Sequence, residues 1–151
     1  MNVLIELDEI ILETTKLLGK PVDKEKYEII DRGIPHRPRI LPPNTMGIYT
    51  FWYNGIALKI GKAGPKSNAR FLSQHYNPNS AQSTLAASIL SDDEMRGLGI
   101  SEVSVGDWIK RNCRRIDITL DASLGIFTLE LIEAVLHYKY EPKYEGFSAQ
   151  R

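Results

Sequence analysis

No other pair of residues constrains the folding of this chain as much as Asn54-Gly55. The dipeptide separates GIYTFWY (47–53) from IALKIG (56–61), two runs rich in aromatic and branched aliphatic side chains. Asn and Gly both tolerate the positive φ that a two-residue turn requires, so the pattern predicts a tight β-hairpin. The rest of the chain reads around it. Leu4, Leu7, Ile10, Ile11, Thr14, Leu17 and Leu18 recur at helical spacing, and Gly19 with Pro21 supplies a stop, which predicts an amphipathic N-terminal helix. Residues 31–46 hold four prolines and read as an extended basic connector. After the hairpin comes a loop, KAGPKSN, then a helix from Ser67 or Asn68 to Tyr76 and a break over residues 77–84. Helices are expected over Ala81–Leu90, Ser104–Asn112 and Ile126–Tyr140, the last ended by Pro142, with a strand over Arg115–Leu120. A small three-stranded sheet covered by helices, α/β or α+β, is the economical architecture.

Charge is distributed unevenly. Residues 32–80 contain seven lysines and arginines and no aspartate or glutamate, while the whole chain is neutral. A solvated surface mixes both signs, so the stretch implies a local face for a polyanion, with DNA or RNA the leading ligand. The neutral total excludes a protein that coats nucleic acid indiscriminately. At 151 residues the chain is expected to form one domain. No apolar run approaches the roughly 20 residues needed to cross a bilayer, and the acidic N-terminus lacks the basic start of a secretory signal. Cys113 is alone, which rules out an internal disulfide or a cysteine zinc cluster and fits a reducing, cytoplasmic setting.

Four features stand in order along the chain: Gly47-Ile48-Tyr49, Lys59-Ile60-Gly61, Arg70 on the following helix, and Glu133 nine residues before Pro142-Lys143-Tyr144. Together they resemble the GIY-YIG nuclease domain over about two thirds of the chain, from Gly47 to Tyr144. The resemblance implies an α+β fold with a three-stranded antiparallel sheet flanked by helices. Here an N-terminal helix and connector (1–46), an insert over about 77–112 and a tail (145–151) would be added. It also implies Mg²⁺- or Mn²⁺-dependent cleavage of DNA, with Tyr49, Lys59, Arg70 and Glu133 catalytic and Glu133 the metal ligand. Lys59 stands where the second triplet usually has tyrosine, as in some restriction enzymes of the family. Glu145 stands where an asparagine commonly follows the proline motif.

The chemistry of these residue types agrees. Phosphodiester hydrolysis needs an activated water, charge neutralisation at the phosphoryl group and help for the leaving oxygen. One carboxylate can hold a Mg²⁺ that keeps most of its waters, and Arg70 offers a planar fork for phosphate oxygens. An ammonium at Lys59 would favour the Tyr49 phenolate and make Tyr49 the base; a neutral Lys59 would itself be the base. Each residue alone is commonplace on a strand or helix surface, and joint occurrence carries the reading. Glu130, Glu133 and His137 share a helix face, which reads as solvated rather than as a metal triad.

Lys62, His75, Arg37, Arg39, Arg114 and Arg115 are the candidate substrate contacts, and His36 lies among the connector arginines where it would meet phosphate. Ser73, Gln74, Asn77, Asn79, Gln82, Ser83 and Thr84 form a polar run suited to base edges or phosphates, or to turns and caps. The leading function is a metal-dependent DNA endonuclease, with double-stranded DNA as partner and sequence-specific restriction as the narrower form. The N-terminal helix would offer a homodimer face suited to a palindromic site. The alternative is a non-catalytic nucleic-acid-binding module that retains the nuclease fold.

Overall fold

A computed structural model describes residues 2–81 and 84–145. Its hairpin is the expected one: β2 (Thr45–Tyr53) and β3 (Ile56–Ala63) pair antiparallel, and Asn54 and Gly55 take φ of 50° and 77°. The sheet has four strands, not three. β1 (Tyr27–Gly33) is the addition, and it pairs antiparallel with β4 (Arg114–Asp121) to give the order β1-β4-β2-β3. The residue pattern predicts no element over the first part of β1 and places its end in the connector. As an edge strand only half-buried, it lacks the aromatic and apolar run that marks β2. The fold is therefore α+β, with an all-antiparallel sheet.

Helices cover both faces. On one, α1 (Val3–Leu17) buries Leu7, Ile11 and Thr15, and α5 (Ile126–Tyr140) buries Leu129, Ile132 and Leu136; they pack on Met46, Ile48, Ile60, Ile116, Ile118 and Leu120. The stop at Gly19 is a left-handed helix end, with Gly19 and Lys20 N–H bonded back to Lys16 and Thr15 carbonyls. α1 thus commits its main apolar stripe to the sheet and leaves Ile5, Leu17 and Leu18 exposed.

The other face carries Tyr49, Phe51 and Leu58, covered by α2 (Asn68–Leu72), a 3₁₀ turn over Gln74–Tyr76, α3 (Leu85–Ser91) and α4 (Val105–Asn112). α3 begins later than its apolar spacing suggests because Thr84 caps it, accepting the Ala87 N–H at 3.1 Å. No helix among the described residues is long and apolar enough to cross a membrane.

A buried polar network ties the covering helices to this second face. Arg115, 1 % exposed, donates to Asp117 Oδ1 (2.7 Å), Tyr76 Oη (2.9 Å) and the Phe71 carbonyl (2.6 Å). Arg32 of β1 holds the other Asp117 oxygen at 3.0 Å. Asp117 is fully buried, so its removal leaves the Arg115 charge without its counterion. Asp117→Ala is expected to lower the unfolding free energy by about 3–5 kcal/mol in urea denaturation. A loss under about 1 kcal/mol would show that the network is structurally dispensable.

Candidate functional site

The two glycines of the triplets are places where side chains must pass. A Cβ on Gly47 would meet the Phe71 ring and Leu41, and one on Gly61 would meet the Tyr49 ring. Tyr49 is the cross-strand partner of Gly61, so the phenol lies across that bare position and its hydroxyl reaches the edge of β3. A register shift beside Phe51 adds one residue to β3. Strict alternation would send Lys59 to the face opposite Leu58. The bulge instead sets it across from Phe51, on the Tyr49 side.

A cleft of about 260 Å³ follows from this arrangement, with Tyr49, Lys59, Lys62, Arg70, His75 and Glu133 in its lining. Because it opens along the edge of the sheet, groups from both faces reach it. Glu133 comes from α5, where Oε1 accepts from Lys62 Nζ at 2.9 Å. Lys59 is 4 % exposed, and its Nζ donates to Glu145 Oε1 at 3.0 Å. Arg70 is exposed at the rim. His137 also lines the cleft but donates Nε2–H to the Ile60 carbonyl at 2.6 Å, and Glu130 faces solvent.

His75 lies 2.7 Å from the Tyr49 hydroxyl through Nε2, while its Nδ1 accepts the Leu85 N–H at 3.2 Å. An acceptor Nδ1 requires the neutral ring to carry its proton on Nε2, so His75 donates to Tyr49. Burial, and then the charges of Lys59, Arg115 and Arg70, push His75 down to about 3. It is a fixed donor at neutral pH and not a proton acceptor. The Tyr49 phenol is raised above its ordinary value: burial dominates, Glu145 and Glu133 add to the rise, and Arg70 opposes it. The expectation of a lowered phenol is thereby reversed for the free protein, because burial, with Glu145 and Glu133 beside it, outweighs the nearby guanidinium charges.

Other candidates lie elsewhere. Arg115 is a core residue with no access to a ligand, and His36, 3 % exposed, bonds the Cys113 carbonyl and Tyr76 hydroxyl at 2.7 Å each. Arg114 forms a two-pronged pair with Asp31, which an expectation of free phosphate contact did not anticipate. Arg37 and Arg39 are exposed on the connector, which is fastened to α2 by a Leu41 N–H bond to Asn68 Oδ1 at 3.1 Å. The polar run makes mostly local bonds: Asn77 accepts the Asn79 N–H and Ser80 donates to the Gln74 carbonyl. Gln74 and Thr84 do line the cleft; Gln82 and Ser83 lie outside the described residues. Glu145 is the site residue that the sequence offered only as a departure from a motif.

The donor set suits some cations and not others. Among the described residues no group of three or more His, Cys, Asp or Glu side chains gathers to hold a metal. Two carboxylates, Glu133 and the Lys59-bound Glu145, line the open cleft, and so sparse an oxygen donor set fits a hard, water-rich cation such as Mg²⁺ or Mn²⁺ that draws its remaining ligands from water and substrate, and not a tetrahedral zinc. The chain matches no family model, no curated protein and no solved structure.

His75 also makes stability depend on pH. Its pKa is depressed in the folded state, so the unfolded chain binds the proton first and stability falls as pH drops below the unfolded value of about 6.5. Urea titrations are expected to show about 2 kcal/mol lost through His75 between pH 8 and pH 5. His75→Gln should remove that part of the slope, and an unchanged slope would place the acid sensitivity in other groups.

Proposed function

We propose that this protein is a divalent-metal-dependent DNA endonuclease of the GIY-YIG type. The observation that carries the reading is convergence. Tyr49, Lys59, Arg70 and Glu133, from two strands and two helices separated by up to 84 positions, line one cleft. On this reading β2, β3 and β4 are the three-stranded core and β1 is an addition at the far edge. Duplex DNA is the substrate. Arg37, Arg39 and Lys66 are exposed on the connector and the loop before α2, and Arg70 lies at the cleft rim. Exposed cations of this kind suit the phosphates of a backbone.

Each residue has a distinct task. Arg70 presents its donor fork to non-bridging phosphate oxygens. Lys59, held as the ammonium half of an ion pair, has three donors and no lone pair, so it neutralises phosphate charge and does not serve as the base. That leaves Tyr49 as the base: its phenol must first lose its own proton to solvent, and the phenolate then takes the proton of the attacking water. His75 keeps its Nε2–H on the Tyr49 oxygen and stabilises the phenolate while that proton moves. Glu133 would hold the divalent cation, which when bound supplies positive charge for the phosphoryl oxygens and favours phenolate at Tyr49.

One observation favours the alternative of a binding module without cleavage: Glu133 and Lys59 are each engaged by an opposite charge in the free protein. Cleavage of mixed-sequence plasmid and phage DNA with Mg²⁺ separates the two. Discrete fragments are expected, abolished by a chelator and reduced at least about 10³-fold by Glu133→Gln with DNA binding retained. Tight binding of intact DNA in every divalent metal tried would establish the module instead.

A further inference from the structure

The segment after α5 is fastened to the molecule at several points. Lys143 and Tyr144 donate their N–H groups to the Ala57 and Leu58 carbonyls on the β3 edge, at 2.9 and 3.0 Å. The Lys143 ammonium holds Asp92 at 2.8 Å and Glu94 at 2.7 Å, and the Tyr144 hydroxyl donates to Asp92 at 2.7 Å. Two layers of the fold, the sheet edge and the turn after α3, therefore set where residue 145 stands. That place is beside Lys59. The ammonium is almost wholly buried, whereas the Glu145 side chain keeps 25 % of its surface in solvent.

A carboxylate and a phosphodiester present the same thing to an ammonium: an anionic oxygen that accepts a charge-assisted hydrogen bond. We propose that Glu145 is an internal stand-in for substrate phosphate, holding Lys59 in the free protein and yielding it to a phosphate oxygen of bound DNA. The inference rests on the nuclease reading and deepens it. Glu145 is a positioning residue that acts through Lys59. It keeps a buried cation aimed into the cleft before substrate arrives, and it makes every DNA encounter open one ion pair before the cleft engages. Poorly fitting duplexes are then held less tightly than the count of cations alone would allow. Nothing comparable would follow from an asparagine at this position, which has no charge to surrender.

The test measures binding and not cleavage. Affinity for a mixed-sequence duplex is followed in chelator over a range of salt for the wild type, Glu145→Gln, Lys59→Gln and the double variant, each first shown to be folded by circular dichroism and thermal melting. Glu145→Gln is expected to bind about 5- to 10-fold more tightly at low salt, and its slope of log affinity against log salt should steepen by about one, because the carboxylate that the wild type frees on binding takes up a cation and offsets one of those released from the DNA. In the Lys59→Gln background the same substitution should leave the slope unchanged. A folded Glu145→Gln with wild-type affinity and slope overturns the inference, as does equal steepening without Lys59. Failure of the wild type and every variant to bind duplex at any salt is a different result: it overturns the nuclease reading, and the inference with it.

Discussion

A single buried guanidinium organises one side of the molecule. Arg115 is the largest fully buried side chain among the described residues, packed against the Phe51 and Phe71 rings at 5.2 and 4.9 Å. A charge in that position is tolerable only with its donors satisfied, and its partners come from β4, the end of α2 and the 3₁₀ turn that bears Tyr76. The Phe71 carbonyl closes α2 onto the sheet, and the Tyr76 hydroxyl is shared with His36 of the connector. His75, one residue before Tyr76, inherits its place beside Tyr49 from that anchorage. The geometry of the cleft thus begins with a residue that no ligand touches.

The hairpin triplets illustrate how far a local pattern extends. Their strands, their turn and even the need for glycine at 47 and 61 follow from packing, because an aromatic ring crosses each bare position. What alternation along β3 misplaces is Lys59. The bulge beside it is invisible in the residue pattern, yet it decides whether the ammonium faces the Tyr49 side or the α5 side. The edge of β3 is also closed in a way that no short motif announces: His137 takes the Ile60 carbonyl, and Lys143 and Tyr144 take those of Ala57 and Leu58. An edge strand so covered has few backbone groups left to recruit another chain, and the remaining opening becomes the cleft.

The acid-free stretch has a double meaning in three dimensions. Three of its seven cations, Arg32, Lys59 and Lys62, turn to carboxylates supplied by the flanking sequence: Asp117, Glu145 and Glu133. Separation of charge along the chain is thus partly a device for pairing across the fold. Arg37, Arg39, Lys66 and Arg70 remain exposed.

By itself the sequence determined the elements whose cause is local. The Asn-Gly turn, the N-terminal helix with its glycine stop and the late helix ended by proline are all short-range signals. Only the tertiary structure decided which cations are spent inside. Burial removed Arg115 and His36 from the surface, pairing engaged Arg114, and a bulge and a fastened chain segment brought Lys59 and Glu145 together across 86 positions. β1 likewise became a strand because β4 offered it an edge, not because its own side chains alternate strongly. Pairing and desolvation depend on neighbours that a linear chain does not name, which is why the residues could be read in advance and their charge states and partners could not.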